Sequence, residues 1–220
     1  MSLRGFAVAI LATVMRAAAA APPDCAAVSG PLVPDDPRLR QWLRRLVHEV
    51  ARSEGVDPVA LEALGMVETE LRPMVGRACE LGPFQVMPSW AGVFQLESPA
   101  LLWDPRINAI AAARIYKAGW RRWEARFAEA GRNRALRAAG WRSDSLDRES
   151  FAALVYNWGK AARTFARASD LREVSIPAST AAYAVRFSRA LREARLRAGA
   201  GSDIPPARST SSTGGVKRRS

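Results

Sequence analysis

One stretch of the sequence, Val56 to Gln85, constrains the fold more than any other, because it joins a strong helix signal to a loop punctuated by glycine and proline. Asp57 suits the position that caps a helix N-terminus, and Pro58 suits the first helical position. Pro73 predicts that the helix has ended after about four turns. The chain therefore places a mostly apolar helix directly before a turning loop that closes on residues 82–85.

Glu68 is the carboxylate that this helix presents to its apolar side. At about 100° per residue, Glu68 lies on the same arc as three leucines of the helix, whereas Glu62 and Glu70 point elsewhere. Burial and the negative end of the helix dipole both disfavour the ionised carboxylate, so the pattern predicts a raised pKa suited to a general acid. The simpler alternative is that Glu68 only pairs with one of the many arginines.

Four short motifs, in a fixed order, resemble those of the soluble lytic transglycosylase family, whose fold is lysozyme-like. They are Glu68-Thr69, Gly82 to Pro88, Tyr156-Asn157-Trp158-Gly159, and Tyr183. The resemblance extends from about Leu39 to Arg197. The family usually has Glu-Ser, Gly-Leu-Met-Gln and Tyr-Asn-Ala-Gly at the first three motifs. Pro83 here removes a backbone donor and Trp158 adds bulk, so the shape of the cleft differs in detail.

The resemblance implies a mainly α, lysozyme-like helical domain with an irregular active-site loop and little or no β-structure. It implies that the enzyme cleaves peptidoglycan glycan strands between N-acetylmuramic acid and N-acetylglucosamine and leaves a 1,6-anhydro product. Glu68 would be the catalytic acid, and Thr69 and Tyr183 would hold its carboxyl group. Six further residues would bind the substrate: Gly82, Phe84, Gln85, Met87, Tyr156 and Asn157.

Two other functions remain open on the sequence. A lysozyme-like hydrolase would act on the same bond with Glu80 as a second acid. A non-catalytic basic module would bind the cell wall or nucleic acid. Members of such families serve wall turnover, secretion or conjugation machines, or phage entry, and the sequence does not choose among these settings.

No cofactor or metal is implied by the residue types present. The chain has one histidine and two cysteines, which leaves little material for zinc sites or for catalytic triads. His48 lies off the apolar stripe of its helix and is expected to be solvated. No glycine-rich phosphate loop follows a predicted strand.

The ends of the chain predict an exported protein. Residues 1–21 read as a signal peptide, 22–36 as an extended lead-in, 37–198 as the folded domain, and 199–220 as a disordered basic tail. The predicted location is the periplasm or the cell wall, with no transmembrane span in the mature protein. In an oxidising compartment, Cys25 and Cys79 are expected to form a disulfide that ties the lead-in to the active-site loop.

The chain is strongly basic, with a formal net charge of +12. Such a charge usually indicates a nucleic-acid partner. Arginine supplies almost all of it, since only Lys117, Lys160 and Lys217 are lysines, and that skew can arise from coding bias alone. Export also places the protein beside an anionic wall polymer, so no nucleic acid is expected as a partner.

Overall fold

The computed structural model describes residues 36–127, 147–167 and 176–202. The predicted signal peptide, the lead-in up to residue 35, the basic segment 128–146 and the tail from residue 203 lie outside the described residues. The described part is mainly helical, which confirms the predicted mainly α class with little β-structure. Its backbone pairing in the extended form is limited to two isolated bridges, between Val75 and Leu81 and between Leu81 and Val86.

Seven α-helices and one short 3-10 helix are present within the described ranges. None of these helices is both long and apolar enough to cross a membrane. In chain order the elements are α1 (Pro37–Glu54), α2 (Pro58–Thr69), α3 (Trp90–Val93), the 3-10 helix (Pro99–Trp103), α4 (Pro105–Phe127), α5 (Arg148–Asn157), α6 (Ala161–Arg167) and α7 (Ala178–Ser202).

Aspartates begin four of these helices. The Asp57 side chain accepts a hydrogen bond from the Val59 backbone N–H at 2.9 Å, as the sequence predicts for the start of α2. Asp104 does the same for α4, and Asp36 and Asp147 cap α1 and α5. Each carboxylate satisfies backbone donors that have no partner inside their own helix.

Helix α2 lies at the centre of the fold. Residues 60–65 are all buried, because α1 and α7 both pack against this helix. A helix that is apolar on nearly all sides has to be covered on all sides, which explains this position. Helix α4 packs against α1 and α5, and α5 in turn packs against α7. The last residues of α2, including Glu68, are therefore surrounded by elements from distant parts of the chain.

Helix α2 ends at Thr69, four residues before the proline that was predicted to stop it. Glu70 and Leu71 both take the left-handed conformation, and the Leu71 N–H donates to the Gly65 carbonyl at 3.1 Å. Leu71 is fully buried, and a Cβ atom on Gly65 would lie 2.3 Å from its Cδ2. The chain thus turns back to bury Leu71 against Gly65, and this contact ends the helix early.

Other boundaries also differ from the sequence prediction. Neither helix α6 nor the 3-10 helix is among the elements predicted from the sequence. Helix α7 continues to Ser202, past the predicted domain boundary at residue 198. The added residues 199–202 are Gly, Ala, Gly and Ser, so helix propensity does not explain this continuation.

Candidate active site

The half-buried Glu68 lies in the last turn of α2 and meets Tyr183 from α7. The Tyr183 hydroxyl donates a hydrogen bond to Glu68 Oε1 at 2.6 Å. Tyr183 itself is buried, so its ring has little freedom to leave this contact. The hydrogen bond uses one carboxyl oxygen of Glu68 and leaves Oε2 for another partner.

The environment raises the pKa of Glu68 to about 7. Burial is the main cause, because it penalises the ionised carboxylate. The hydrogen bond from Tyr183 and the positive charge of Arg186 act in the opposite direction, whereas the negative charge of Glu80 raises the pKa further. A carboxyl group with such a pKa is present in both its acid and its base form near neutral pH.

Tyr156 at the end of α5 supplies a second phenol close to Glu68. Burial raises the pKa of both Tyr156 and Tyr183 well above the usual value for a phenol, and the charge of Glu68 raises them further. Both hydroxyls therefore stay protonated and act as donors. The Tyr156 hydroxyl donates to the Phe84 carbonyl oxygen at 2.6 Å. It therefore also holds the loop of residues 70–89 between α2 and α3, which is called the active-site loop after the candidate site that it borders.

Thr69 does not hold the Glu68 carboxyl group, contrary to what the family resemblance implied. Its buried hydroxyl donates instead to the Pro83 carbonyl oxygen at 2.8 Å. A hydroxyl has a single hydrogen to donate, so this bond excludes donation to Glu68 at the same time. Thr69 joins the end of α2 to the turn at residues 82–85.

Gln85 is tied to its own loop by its side-chain amide. Its Nε2 donates to the Gly82 carbonyl oxygen at 2.9 Å and to the Met74 carbonyl oxygen at 3.1 Å. Both amide hydrogens are thereby used, and Gln85 also takes a positive φ of 49°. In this arrangement Gln85 shapes the loop, and only its Oε1 is left to contact a substrate.

The other predicted substrate-binding residues are distributed differently from the prediction. The Phe84 side chain is fully buried in the core, and Gly82 is buried as well, so contact of either residue with substrate stays a prediction. Met87 is half-buried. Asn157 is exposed at the last position of α5, one residue after Tyr156.

Asn108, on α4, anchors the active-site loop and was not among the predicted site residues. It is fully buried, and its Nδ2 donates to the Leu81 and Leu102 carbonyl oxygens at 2.8 and 2.9 Å. Its Oδ1 accepts from the Phe84 backbone N–H at 3.0 Å. One signal was available in the sequence, because Asn108 lies at helical spacing on the apolar stripe that continues through Ala112 and Ile115.

Gly82 is required where Asn108 reaches the loop. Its φ is +75°, and a Cβ atom there would lie 2.7 Å from the Asn108 amide group. A side chain at this position would be strained by its backbone and would also displace the amide. The Gly82 motif is thus explained by the approach of α4 to the loop.

Glu80 and Cys79 lie in the same loop. The half-buried Glu80 accepts a hydrogen bond from the Ala78 backbone N–H at 2.9 Å through its Oε2. Cys79 is buried, takes a positive φ of 65° and is disulfide-bonded. Its expected partner, Cys25, lies outside the described residues, so this pairing stays a prediction.

Glu62 and His48 form a second charged cluster that the sequence interpretation missed. Glu62 was predicted to point away from the apolar side, yet it is buried, with 7% of its surface exposed. His48 was expected to be solvated, but it is half-buried and hydrogen-bonded to Glu62 at 2.8 Å. Arg197 and Arg44 approach the other Glu62 oxygen at 3.2 and 3.6 Å. Helices α1 and α7 cover this face of α2, which is why the carboxylate is buried and paired.

Among the described residues, no group of three or more histidine, cysteine or acidic side chains is arranged to hold a metal ion. The chain matches no protein-family model, no curated protein and no solved structure.

Proposed function

We propose that this protein is a peptidoglycan lytic transglycosylase that cleaves the β-1,4 bond between N-acetylmuramic acid and N-acetylglucosamine. The observation that carries the proposal is Glu68, a half-buried carboxyl group whose pKa is raised to about 7 and which is bonded to the buried Tyr183. Near neutral pH such a group can first give up a proton and then take one back. On this proposal the protein is exported and acts in the periplasm or at the cell wall.

In the first step the protonated Glu68 gives its proton to the glycosidic oxygen. The bond between that oxygen and the anomeric carbon breaks, and the sugar develops positive charge. Glu68 is left as a carboxylate. The hydrogen bond from Tyr183 stabilises this charged form, which lowers the cost of the proton transfer.

In the second step the C6 hydroxyl of the same sugar attacks the anomeric carbon. The Glu68 carboxylate takes the proton of that hydroxyl, so Glu68 returns to its starting form and no water is consumed. An intramolecular hydroxyl has an effective concentration of up to about 10⁵ to 10⁸ M when it is well oriented, so it can outcompete water. The product carries a 1,6-anhydro ring.

The decisive experiment is digestion of purified peptidoglycan followed by mass spectrometry of the soluble products. The wild-type protein should release 1,6-anhydro muropeptides, and Glu68→Gln should reduce their formation by at least about 10³-fold, since it removes the only proposed acid and base. Circular dichroism must show that the variant is folded. Retained lysis by a folded Glu68→Gln protein, or the absence of lysis by the wild type, would refute the proposal.

A lysozyme-like hydrolase is the second candidate, and the electrostatic effect of Glu80 on Glu68 favours it. That effect requires Glu80 to lie near the acid, where a second carboxylate of a hydrolase would be needed. Products with reducing ends that incorporate heavy oxygen from labelled water, and that disappear with Glu80→Gln, would establish the hydrolase and exclude the transglycosylase.

A further inference from the structure

Arg186 is an exposed cation beside the candidate acid. It follows Tyr183 by three residues on α7, and its guanidinium lies 5.7 Å from the centre of the Tyr183 ring. The hydroxyl of that ring is bonded to Glu68. Arg186, Tyr183 and Glu68 therefore form a series of contacts that leads from the exposed surface of α7 to the half-buried carboxyl group.

Most exposed arginines of α7 already have a carboxylate partner within the chain. The pairs are Arg189 with Glu193 at 3.6 Å, Arg195 with Asp57 at 3.9 Å and Arg197 with Glu62 at 3.2 Å. By contrast, Arg186 and Arg192 form no ion pair with any residue in the described ranges. Arg186 thus presents an unneutralised guanidinium next to Glu68, where an anion from outside the chain could bind.

On this geometry, and resting on the proposed function, we propose that Arg186 binds a carboxylate of the glycan substrate and so holds the glycan against Glu68. The flat guanidinium presents paired N–H donors that match the two oxygens of a carboxylate. Peptidoglycan offers such groups on its peptide stems and, where the stem is missing, on the lactyl ether of N-acetylmuramic acid. A glycan made only of N-acetylglucosamine has none.

Binding of a carboxylate at Arg186 also prepares the acid. The charged and titratable groups that act on Glu68 are Tyr183 and Arg186 on α7, Tyr156 on α5 and Glu80 in the loop. The positive charge of Arg186 favours the ionised form of Glu68. A substrate carboxylate that neutralises this charge removes the effect, so it shifts Glu68 toward the protonated form that the first step needs.

The test measures binding in a Glu68→Gln background, where no substrate is consumed. Isothermal titration calorimetry would compare three soluble oligosaccharides: chitin fragments without carboxylates, peptide-free glycan with lactyl carboxylates, and glycan that keeps its peptide stems. Adding Arg186→Gln should weaken binding of a carboxylate-bearing glycan about three- to tenfold and leave binding of the chitin fragments unchanged. Arg186→Lys, which keeps the charge, should restore part of the loss. The two acidic glycans distinguish lactyl from stem carboxylates as the group bound.

Arg192→Gln is the matched control, because Arg192 is also exposed and unpaired but lies about 9 Å further along the same helix. It should leave all three affinities unchanged. Equal losses for Arg192→Gln and Arg186→Gln would overturn the inference in favour of diffuse charge. An equal loss for the chitin fragments would overturn it in favour of a structural role. No loss with Arg186→Gln overturns the inference alone, whereas failure to bind any of the three glycans overturns the proposed function with it.

Discussion

At the scale of single residues, the pKa of Glu68 is set by surroundings that shift it in opposite directions. Burial and Glu80 favour the protonated carboxyl group, and Tyr183 and Arg186 favour the carboxylate. The result is a pKa of about 7 instead of the ordinary value of 4.5. On the proposed mechanism Glu68 acts first as an acid and then as a base, and a pKa near neutral suits both roles.

Glu80→Gln should move the alkaline limb of the pH–rate profile to lower pH. On the proposed mechanism the rate requires protonated Glu68, so it falls as pH rises through the pKa of that group. Removing the negative charge of Glu80 makes ionisation of Glu68 easier, which lowers the pKa. The measurement is kcat/KM against pH with peptidoglycan as substrate. Glu49→Gln removes the same charge from a carboxylate that pairs with Arg106, and its profile should match the wild type. An alkaline limb that stays in place would contradict the effect assigned to Glu80.

Glu68→Gln should stabilise the protein at alkaline pH only. The pKa of Glu68 is raised on folding from 4.5 to about 7, so folding favours the protonated form. The contribution of Glu68 to the free energy of unfolding is therefore fully present below about pH 4.5 and is lost as pH rises to about 7. The uncharged amide avoids this decrease, and above about pH 7 the variant should be more stable by about 1–3 kcal/mol. Urea unfolding at about pH 4 and about pH 8 checks this. A difference of the same size at both pH values would mean that Glu68 titrates normally.

At the scale of elements, the active-site loop is shaped by hydrogen bonds from three helices. Thr69 of α2 holds Pro83, Tyr156 of α5 holds Phe84, and Asn108 of α4 holds the backbone on both sides of the turn. The loop has almost no regular structure of its own, so these side chains replace the backbone ladder that a sheet would supply.

Asn108→Asp should destabilise the fold and reduce activity together. The carboxylate keeps the acceptor for Phe84 but loses both donors, which leaves the Leu81 and Leu102 carbonyls unsatisfied beside a buried charge. The expected cost is about 2–4 kcal/mol, measured by urea unfolding. Gln41→Glu makes the same chemical change on the exposed side of α1 and should stay within about 0.5 kcal/mol of the wild type. A similar small effect for Asn108→Asp would show that the loop is held by other contacts.

At the scale of the whole molecule, α7 contacts α2 through a hydrogen bond near one end and an ion pair near the other. Tyr183 binds Glu68 near one end, and Arg195 approaches Asp57 at the other, so the two helices run in opposite directions. The buried Glu62 lies between these points and receives Arg197. Helix α7, far from α2 in the sequence, thereby supplies Tyr183 to the candidate site.

Reduction of the disulfide at Cys79 should destabilise the molecule. If Cys25 is the partner, the bond closes a long loop, and its loss should cost about 3–5 kcal/mol on the chain-entropy model. Thermal unfolding with and without a reductant measures the change, and peptide mapping under non-reducing conditions identifies the partner. Two free thiols in protein from an oxidising compartment would rule out the Cys25–Cys79 bridge.

The sequence by itself determined the local features of this protein. The aspartate caps, the apolar helix with Glu68 on its buried arc and the mainly helical class all follow from patterns within a few turns of chain. The structure bears out the raised pKa that the pattern predicted, and the Tyr183 contact implied by the family resemblance is present.

Only the tertiary structure decided the early end of α2, the burial of Glu62 and the hydrogen bonds of Thr69 and Asn108. The end of α2 depends on Leu71 folding back onto Gly65, which competes with simple continuation of the helix. The other three depend on partners that lie 14 to 135 residues away in the chain, apart from Leu102, which is six residues before Asn108. Helical periodicity gives the direction of a side chain on its own helix, but which groups meet there is set by how the helices pack.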